Sequence, residues 1–273
     1  LGNMANPALY QEARGGTKKL INDYLDEVSG ALNLITDSRV KVLSPYRKRQ
    51  FLKRAARSFG RSALLLSGGA SFGLFHIGVI EELEERGLLP RVVTGSSAGA
   101  IMAGILATHT DEELEELLNP EYIDFEWCRI FQPFALMKNK TVLDPKVLKR
   151  FIDRNIPPMT FLEAYQHTNR ILNISVSPAD SHQFPRLLNY LTAPNVLIQW
   201  AALASAAIPG MYPPVQLRAR NFEGKSVAYM PHNRWIDGSV KDDIPKEKVN
   251  RLHNINHYIV SQTNPHVLPF LNE

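Results

Sequence analysis

The chain has 273 residues, 44% of them apolar and 21% charged, with one cysteine and a formal net charge of +4. That length buries a substantial core without disulfides or a structural metal, and the composition is that of an ordinary soluble globular protein. Cys128 alone excludes an internal disulfide and favours a reducing compartment, and its neighbours Glu126 and Trp127 offer no positive charge to activate it. No apolar run approaches the roughly 18–20 residues needed to span a bilayer. No charged-then-apolar leader opens the chain, and Leu1 in place of a starting methionine reads as a fragment of a longer protein.

Residues 1–60 read as a helical preface. Over 17–34, Leu20, Ile21, Tyr24, Leu25, Val28, Ala31 and Leu32 fall at helix spacing. A turn at Ser44-Pro45 opens a second helix, with Pro45 near its first position. This helix crowds Arg47, Lys48, Arg49, Lys53, Arg54, Arg57 and Arg61 around an apolar stripe of Phe51, Leu52, Ala55, Ala56 and Phe59. The pattern fits a solvated helix face, with an anionic membrane surface as the alternative. Neither an aromatic-rich RNA-binding motif nor zinc-finger spacing accompanies it, which argues against nucleic acid.

From Ser62 the character changes. Residues 63–66 read as a buried strand, 74–86 as a helix closed by Gly87, 91–94 as a second strand, and 98–108 as a helix of small residues. Strand, helix, strand, helix implies a parallel βαβ unit with helices on the sheet faces. Residues 111–118 form an acidic helix with Asp111 as its N-cap, and 142–152 are helical. Residues 170–177 are a strand, and 195–207 an apolar helix stopped by Pro209-Gly210. Residues 213–229 make a hairpin turning at 221–224, 235–237 end a strand or turn, and 257–261 are a last strand. The remaining residues 61–273 thus read as a single domain.

Three constellations carry chemistry. Gly95-Ser96-Ser97-Ala98-Gly99 fits G-x-S-x-G between a strand and a helix. There a serine sits on a strained turn, small flanks permit close backbone approach, and the helix N-terminus stabilises an oxyanion. Ser67-Gly68-Gly69-Ala70-Ser71-Phe72-Gly73 also follows a strand and opens a helix. A nucleotide loop is disfavoured, because no Lys-Ser/Thr pair follows and residues 88–94 hold no acid for a ribose. The alternative is an oxyanion hole at the same end of the sheet as Ser97, formed by N–H groups near Gly68, Gly69 and Ala70. Asp237-Gly238-Ser239 supplies either a base for the serine or a plain turn; the local residues leave both open.

In this order the three pieces resemble the patatin-like phospholipase family, and in particular its branch of triacylglycerol lipases of storage-lipid turnover. The likeness extends through residues 63–69, 94–99, 186–196, 204–214, 235–240 and 260–266, and into the preface at 18–26 and 51–61. It implies a three-layer α/β/α fold with a mainly parallel central sheet, preceded by the helical segment. It further implies a Ser97 nucleophile, an Asp237 base, an oxyanion hole at Gly68, Gly69 and Ala70, and supporting glycines at Gly73, Gly95, Gly99 and Gly238. Metal and organic cofactors are not required. The implied activity is hydrolysis of acylglycerol esters through an acyl-enzyme, with phospholipase A or lysophospholipase action as the alternative. The implied partner is lipid, met at a droplet or membrane surface by an intracellular, cytosolic protein. The chain departs from the family pattern at Ala70, where glycine is usual, at Phe72, where many relatives carry arginine, and at Ser239.

Rival readings are a Ser–His–Asp triad using His253, His257 or His266, and a catalytically silent lipid-binding protein. The His232…Asp237 spacing of some acyltransferases is read as coincidental. Residues 130–140, with Phe131, Phe134 and Met137 before Lys138 and Lys140, could dock on lipid or lie in the core.

Overall fold

A computed structural model of the chain describes residues 18–117, 145–180 and 182–264. Cys128, the segment 130–140 and His266 lie outside the described residues. Two compact units are present, Leu1–Arg61 and Ser62–Glu273.

In the first unit, α1 (Lys19–Thr36) and α2 (Pro45–Phe59) follow the expected periodicity. The Ser44 hydroxyl caps α2 by accepting the Arg47 N–H, Pro45 occupies the first turn, and Gly60 at φ 86° ends the helix.

The second unit is built on a sheet of six strands. β1 (Arg61–Leu66), β2 (Val92–Gly95) and β3 (Ile171–Pro178) lie side by side, β1 parallel to β2 and β2 parallel to β3. β4 (Arg186–Leu188) and β7 (Trp235–Asp237) both pair antiparallel with β3, and β8 (Ile255–Ser261) pairs with β1. The sheet is therefore parallel at its centre and mixed at its margins. A separate hairpin joins β5 (Arg218–Arg220) to β6 (Ser226–Ala228). Its turn forms because the Asn221 side chain accepts the N–H groups of Glu223 and Lys225 and Gly224 takes φ 78°.

Period-2 alternation divides the core into two layers. Leu64, Leu66 and Val93 face one cluster, with residues of α3 (Phe75–Glu85), α4 (Ala98–Thr108), α7 (Phe161–Thr168) and α8 (Ile198–Ser205). Ala63, Leu65 and Val92 face a second cluster with Val249 of α10 (Lys246–His253). With helices on both faces, this is the expected three-layer α/β/α arrangement. α4 is apolar on every side, as a helix between sheet and helices must be. Its small residues let α4 press close to the strands.

Several boundaries differ from the sequence reading. α5 (Asp111–Leu117) is capped by Thr110, not Asp111: the Thr110 hydroxyl accepts the Glu113 N–H and the Glu113 carboxylate accepts the Thr110 N–H. A threonine with glutamate three places on satisfies two amides, which an aspartate at 111 does not. The helix expected over 142–152 is α6 (Pro145–Asn155), which runs on to Asn155; residues 142–144 lie outside the described residues. Gly87 stands one residue beyond the Arg86 cap, at φ 64°, where a left-handed residue closes α3. Five elements were not anticipated: α7, β4, α10, the short α9 (Ser239–Asp242), and a 3₁₀ helix over Ala70–Leu74.

Candidate active site

β2 ends at Gly95 and α4 begins at Ala98, so Ser97 occupies the turn between them. Its φ of 53° lies in the left-handed region, where an L side chain is strained. Surrounding contacts hold it there. The Ser97 N–H donates to Ser205 Oγ at 3.0 Å, and Ser205 Oγ donates to the Ser175 carbonyl at 2.7 Å. Gly95 and Gly99 are required by proximity: a Cβ on Gly95 would strike the Gly99 carbonyl, and one on Gly99 would strike the carbonyls of Leu66 and Ser67. Gly73 is buried in the single 3₁₀ turn, Ala70–Leu74, that follows the glycine loop.

Asp237 ends β7, which pairs with β3 two strands from β1. Ser97 Oγ donates to Asp237 Oδ2 at 2.7 Å, with no imidazole between them. Both groups are nearly sealed from solvent, at 4% and 2% exposure. Asp237 Oδ1 accepts two further bonds, from the Ser239 N–H and the Ser239 hydroxyl, each 2.8 Å. Burial pushes the Asp237 carboxyl above its ordinary range; the Ser97 and Ser239 bonds pull it down, and nearby Asp243 pushes it up. Burial makes the carboxylate a stronger base than one in water, and the hydroxyl bonds temper that effect.

The glycine loop 67–70 lies beside this pair: a Cβ on Gly68 would meet Ser97 Cβ at 3.1 Å and Ser239 Cβ at 3.0 Å. Its three named amides are not equivalent. The Gly68 N–H donates to Asp243 Oδ1 at 2.8 Å, whereas those of Gly69 and Ala70 donate to no side chain or carbonyl among the described residues. Ala70 has φ 50°, which explains why glycine is the easier residue there. On its other flank the loop is tied to the end of β8. Thr263 Oγ1 donates to the Gly68 carbonyl at 3.1 Å, and the Thr263 N–H donates to Ser67 Oγ at 2.8 Å. His76 Nε2 donates to the Ser67 carbonyl at 2.9 Å, leaving Nδ1 to accept from Ser261 Oγ at 2.7 Å. Burial pushes the His76 imidazole down, in keeping with that neutral ring. The Phe72 side chain takes no part in this anchoring, though its N–H donates to the Gly69 carbonyl at 3.0 Å; the ring is exposed and stacks on Phe75 with ring centres 6.3 Å apart.

Two of the three histidines of the rival triad, His253 and His257, stand elsewhere. His253 bonds Asn173 Oδ1 at 2.9 Å and stacks on Tyr190, and His257 Nδ1 lies 2.9 Å from Ser62 Oγ. His232 is exposed. Among the described residues no cluster of three or more His, Cys, Asp or Glu side chains is placed to hold a metal.

A serine on a strained strand–helix turn, bonded directly to a buried aspartate and flanked by a glycine loop, has the geometry that nucleophilic acyl transfer requires. The chain belongs to the patatin-like phospholipase family, whose model matches residues 64–248. A second model, a domain of unknown function (DUF3336), matches residues 1–57. The chain is 41% identical, over 96% of its length, to a patatin-like phospholipase domain-containing protein of Aspergillus niger. It is 42% identical to triacylglycerol lipase 4 of Saccharomyces cerevisiae and 38% identical to triacylglycerol lipase SDP1L of Arabidopsis thaliana, each over 99% of this chain. It spans about a third of the length of these relatives: 35%, 31% and 36% respectively.

Proposed function

We propose that the unit Ser62–Glu273 is the catalytic domain of a serine acyl-hydrolase that cleaves fatty-acyl esters of acylglycerols. The observation that carries this reading is the 2.7 Å bond from Ser97 Oγ to Asp237 Oδ2 at the head of α4. Asp237 takes the Ser97 proton as Oγ attacks the ester carbonyl carbon. Negative charge moves onto the carbonyl oxygen and is met by loop amides and the N-terminal dipole of α4. The tetrahedral adduct collapses, the ester C–O bond breaks, and Asp237 returns the proton to the departing alcohol. Water, deprotonated by the same carboxylate, then attacks the acyl-Ser97 ester; the acyl C–Oγ bond breaks, Asp237 returns that proton to Ser97 Oγ, and the fatty acid leaves. Proton bookkeeping closes on one carboxylate.

Triacylglycerol is the favoured substrate because two relatives that align over nearly the whole chain are named triacylglycerol lipases. Phospholipid offers the same ester bond, and pocket shape decides between them. Lipid is met at an interface, with the protein held peripherally by α2. Arg47, Arg49, Lys53 and Arg54 of α2 are exposed, as is Phe51, and residues 45–61 contain no acid. Among the described residues no helix is long and apolar enough to cross a membrane.

The test is fatty-acid release from neutral-lipid droplets and, separately, from phospholipid vesicles, by the wild type and by Ser97→Ala. Release from droplets that the substitution abolishes supports the reading. Release from vesicles alone overturns the triacylglycerol assignment, and release that survives the substitution overturns the enzyme.

A further inference from the structure

The glycine loop is gripped by a carboxylate that belongs to none of the three motifs. Asp243 Oδ1 accepts the Gly68 N–H at 2.8 Å across 175 positions of sequence. Asp243 immediately follows α9, the single turn that starts at Ser239, and both ends of this turn are fastened. At its start, Ser239 donates twice to Asp237. At its end, Ser175 Oγ of β3 donates to the Asp242 carbonyl at 2.8 Å, and Ser96 Oγ donates to the Asp243 carbonyl at 2.7 Å. Ser96 is the chain neighbour of Ser97. One helical turn therefore links Asp237, the turn that carries Ser97 and the loop that faces them.

We infer that Asp243 is a positioning residue of this site: its carboxylate oxygen fixes the loop through Gly68 and leaves the Gly69 and Ala70 amides as the loop's donors to the oxyanion. The inference rests on the acyl-hydrolase reading above. It also divides the loop's labour, since an amide already bonded to a carboxylate has little left to offer a developing charge. What Asp243 contributes is an acceptor atom in the right place rather than negative charge. A carboxylate near a forming oxyanion repels it, and burial already pushes the Asp243 carboxyl up, against the pull of Gly68 and Asn264. Preorganised donors work only when their direction is set before the reaction, so a loop released at Gly68 loses rate rather than ground-state binding.

The experiment measures kcat and KM on a water-soluble short-chain ester for the wild type, Asp243→Asn, Asp243→Leu, Asp243→Ala and Ser97→Ala, with thermal unfolding of each. Asparagine keeps an oxygen that accepts the Gly68 N–H; leucine fills the same volume and accepts nothing; alanine removes both. The expected result is a kcat about 10–100-fold lower for the leucine and alanine variants, from misaligned oxyanion donors. KM stays within about threefold of the wild type for both, and asparagine restores kcat to within about threefold. Should alanine unfold the protein, the leucine variant carries the comparison. Wild-type kcat in the leucine variant overturns the inference, as does an asparagine variant as slow as leucine. If Ser97→Ala retains activity, the acyl-hydrolase reading itself has failed; if it is inactive while Asp243→Leu is not, only the role of Asp243 has failed.

Discussion

The proposed mechanism asks two opposed things of Asp237: to be buried enough to be basic and to be ionised when the ester arrives. Ser239 reconciles them by donating both its N–H and its hydroxyl to Oδ1, which leaves Oδ2 for Ser97. This gives a role to one of the three residues at which the sequence reading finds a departure from the family pattern. Ser239→Ala keeps the backbone bond and loses the hydroxyl bond. Because that hydroxyl bond lowers the carboxyl pKa, its loss raises it, and the ionised base is reached only at higher pH. The acid limb of the kcat/KM profile on a soluble ester is therefore expected to move to higher pH. The plateau falls by no more than about tenfold, the worth of one hydrogen bond of about 1.4 kcal/mol. A limb that stays in place or moves to lower pH contradicts this account of Ser239.

Among the elements, those that place the site were the most legible from sequence. The glycine turns after β1 and β2 were readable because strand, turn and helix are adjacent in the chain and only small residues allow the crossing at Gly95 and Gly99. The partnership of Asp237 with Ser97 was legible only through the family resemblance, since it spans 140 positions and the local Asp-Gly pair passes for a turn. Asp243 left no local signal, because its role arises only when α9 folds back onto the loop. β4 is three residues long, too short for alternation to register. α7 could have been found: Thr160-Phe161-Leu162-Glu163 is a capping box, and both of its reciprocal bonds form, at 3.2 and 2.8 Å. That cap is a local source of stability, remote from the chemistry. Thr160→Ala is expected to cost about 1 kcal/mol, lowering Tm by roughly 2–4 °C, with kcat unchanged below the transition. Thermal unfolding followed by circular dichroism checks the first part and an ester assay the second; a large loss of kcat in the folded variant contradicts it.

At the scale of the whole molecule, the unit that bears the proposed chemistry and the unit that bears the basic cluster of α2 are distinct. Lipid docking and ester hydrolysis should then be separable. Reversing Arg47, Arg49, Lys53 and Arg54 to glutamate removes about 1 kcal/mol of attraction to an anionic surface per residue. Co-sedimentation of the full chain with anionic phospholipid vesicles should weaken at least about tenfold, while hydrolysis of a soluble ester stays at the wild-type rate. Undiminished binding by the reversed variant, or equal binding of the wild type to zwitterionic vesicles, contradicts docking through α2. The account depends most on the covalent step at Ser97, and trapping reads that step without reference to which lipid is natural. The measurement is the rate and site of modification by a long-chain alkyl fluorophosphonate, followed by mass spectrometry of the intact protein and its peptides. The predicted result is one adduct, on Ser97, formed about 100-fold or more slowly in Asp237→Asn and absent from Ser97→Ala. An adduct on another residue, or one on Ser97 whose rate is indifferent to Asp237, would contradict the Ser97–Asp237 pair.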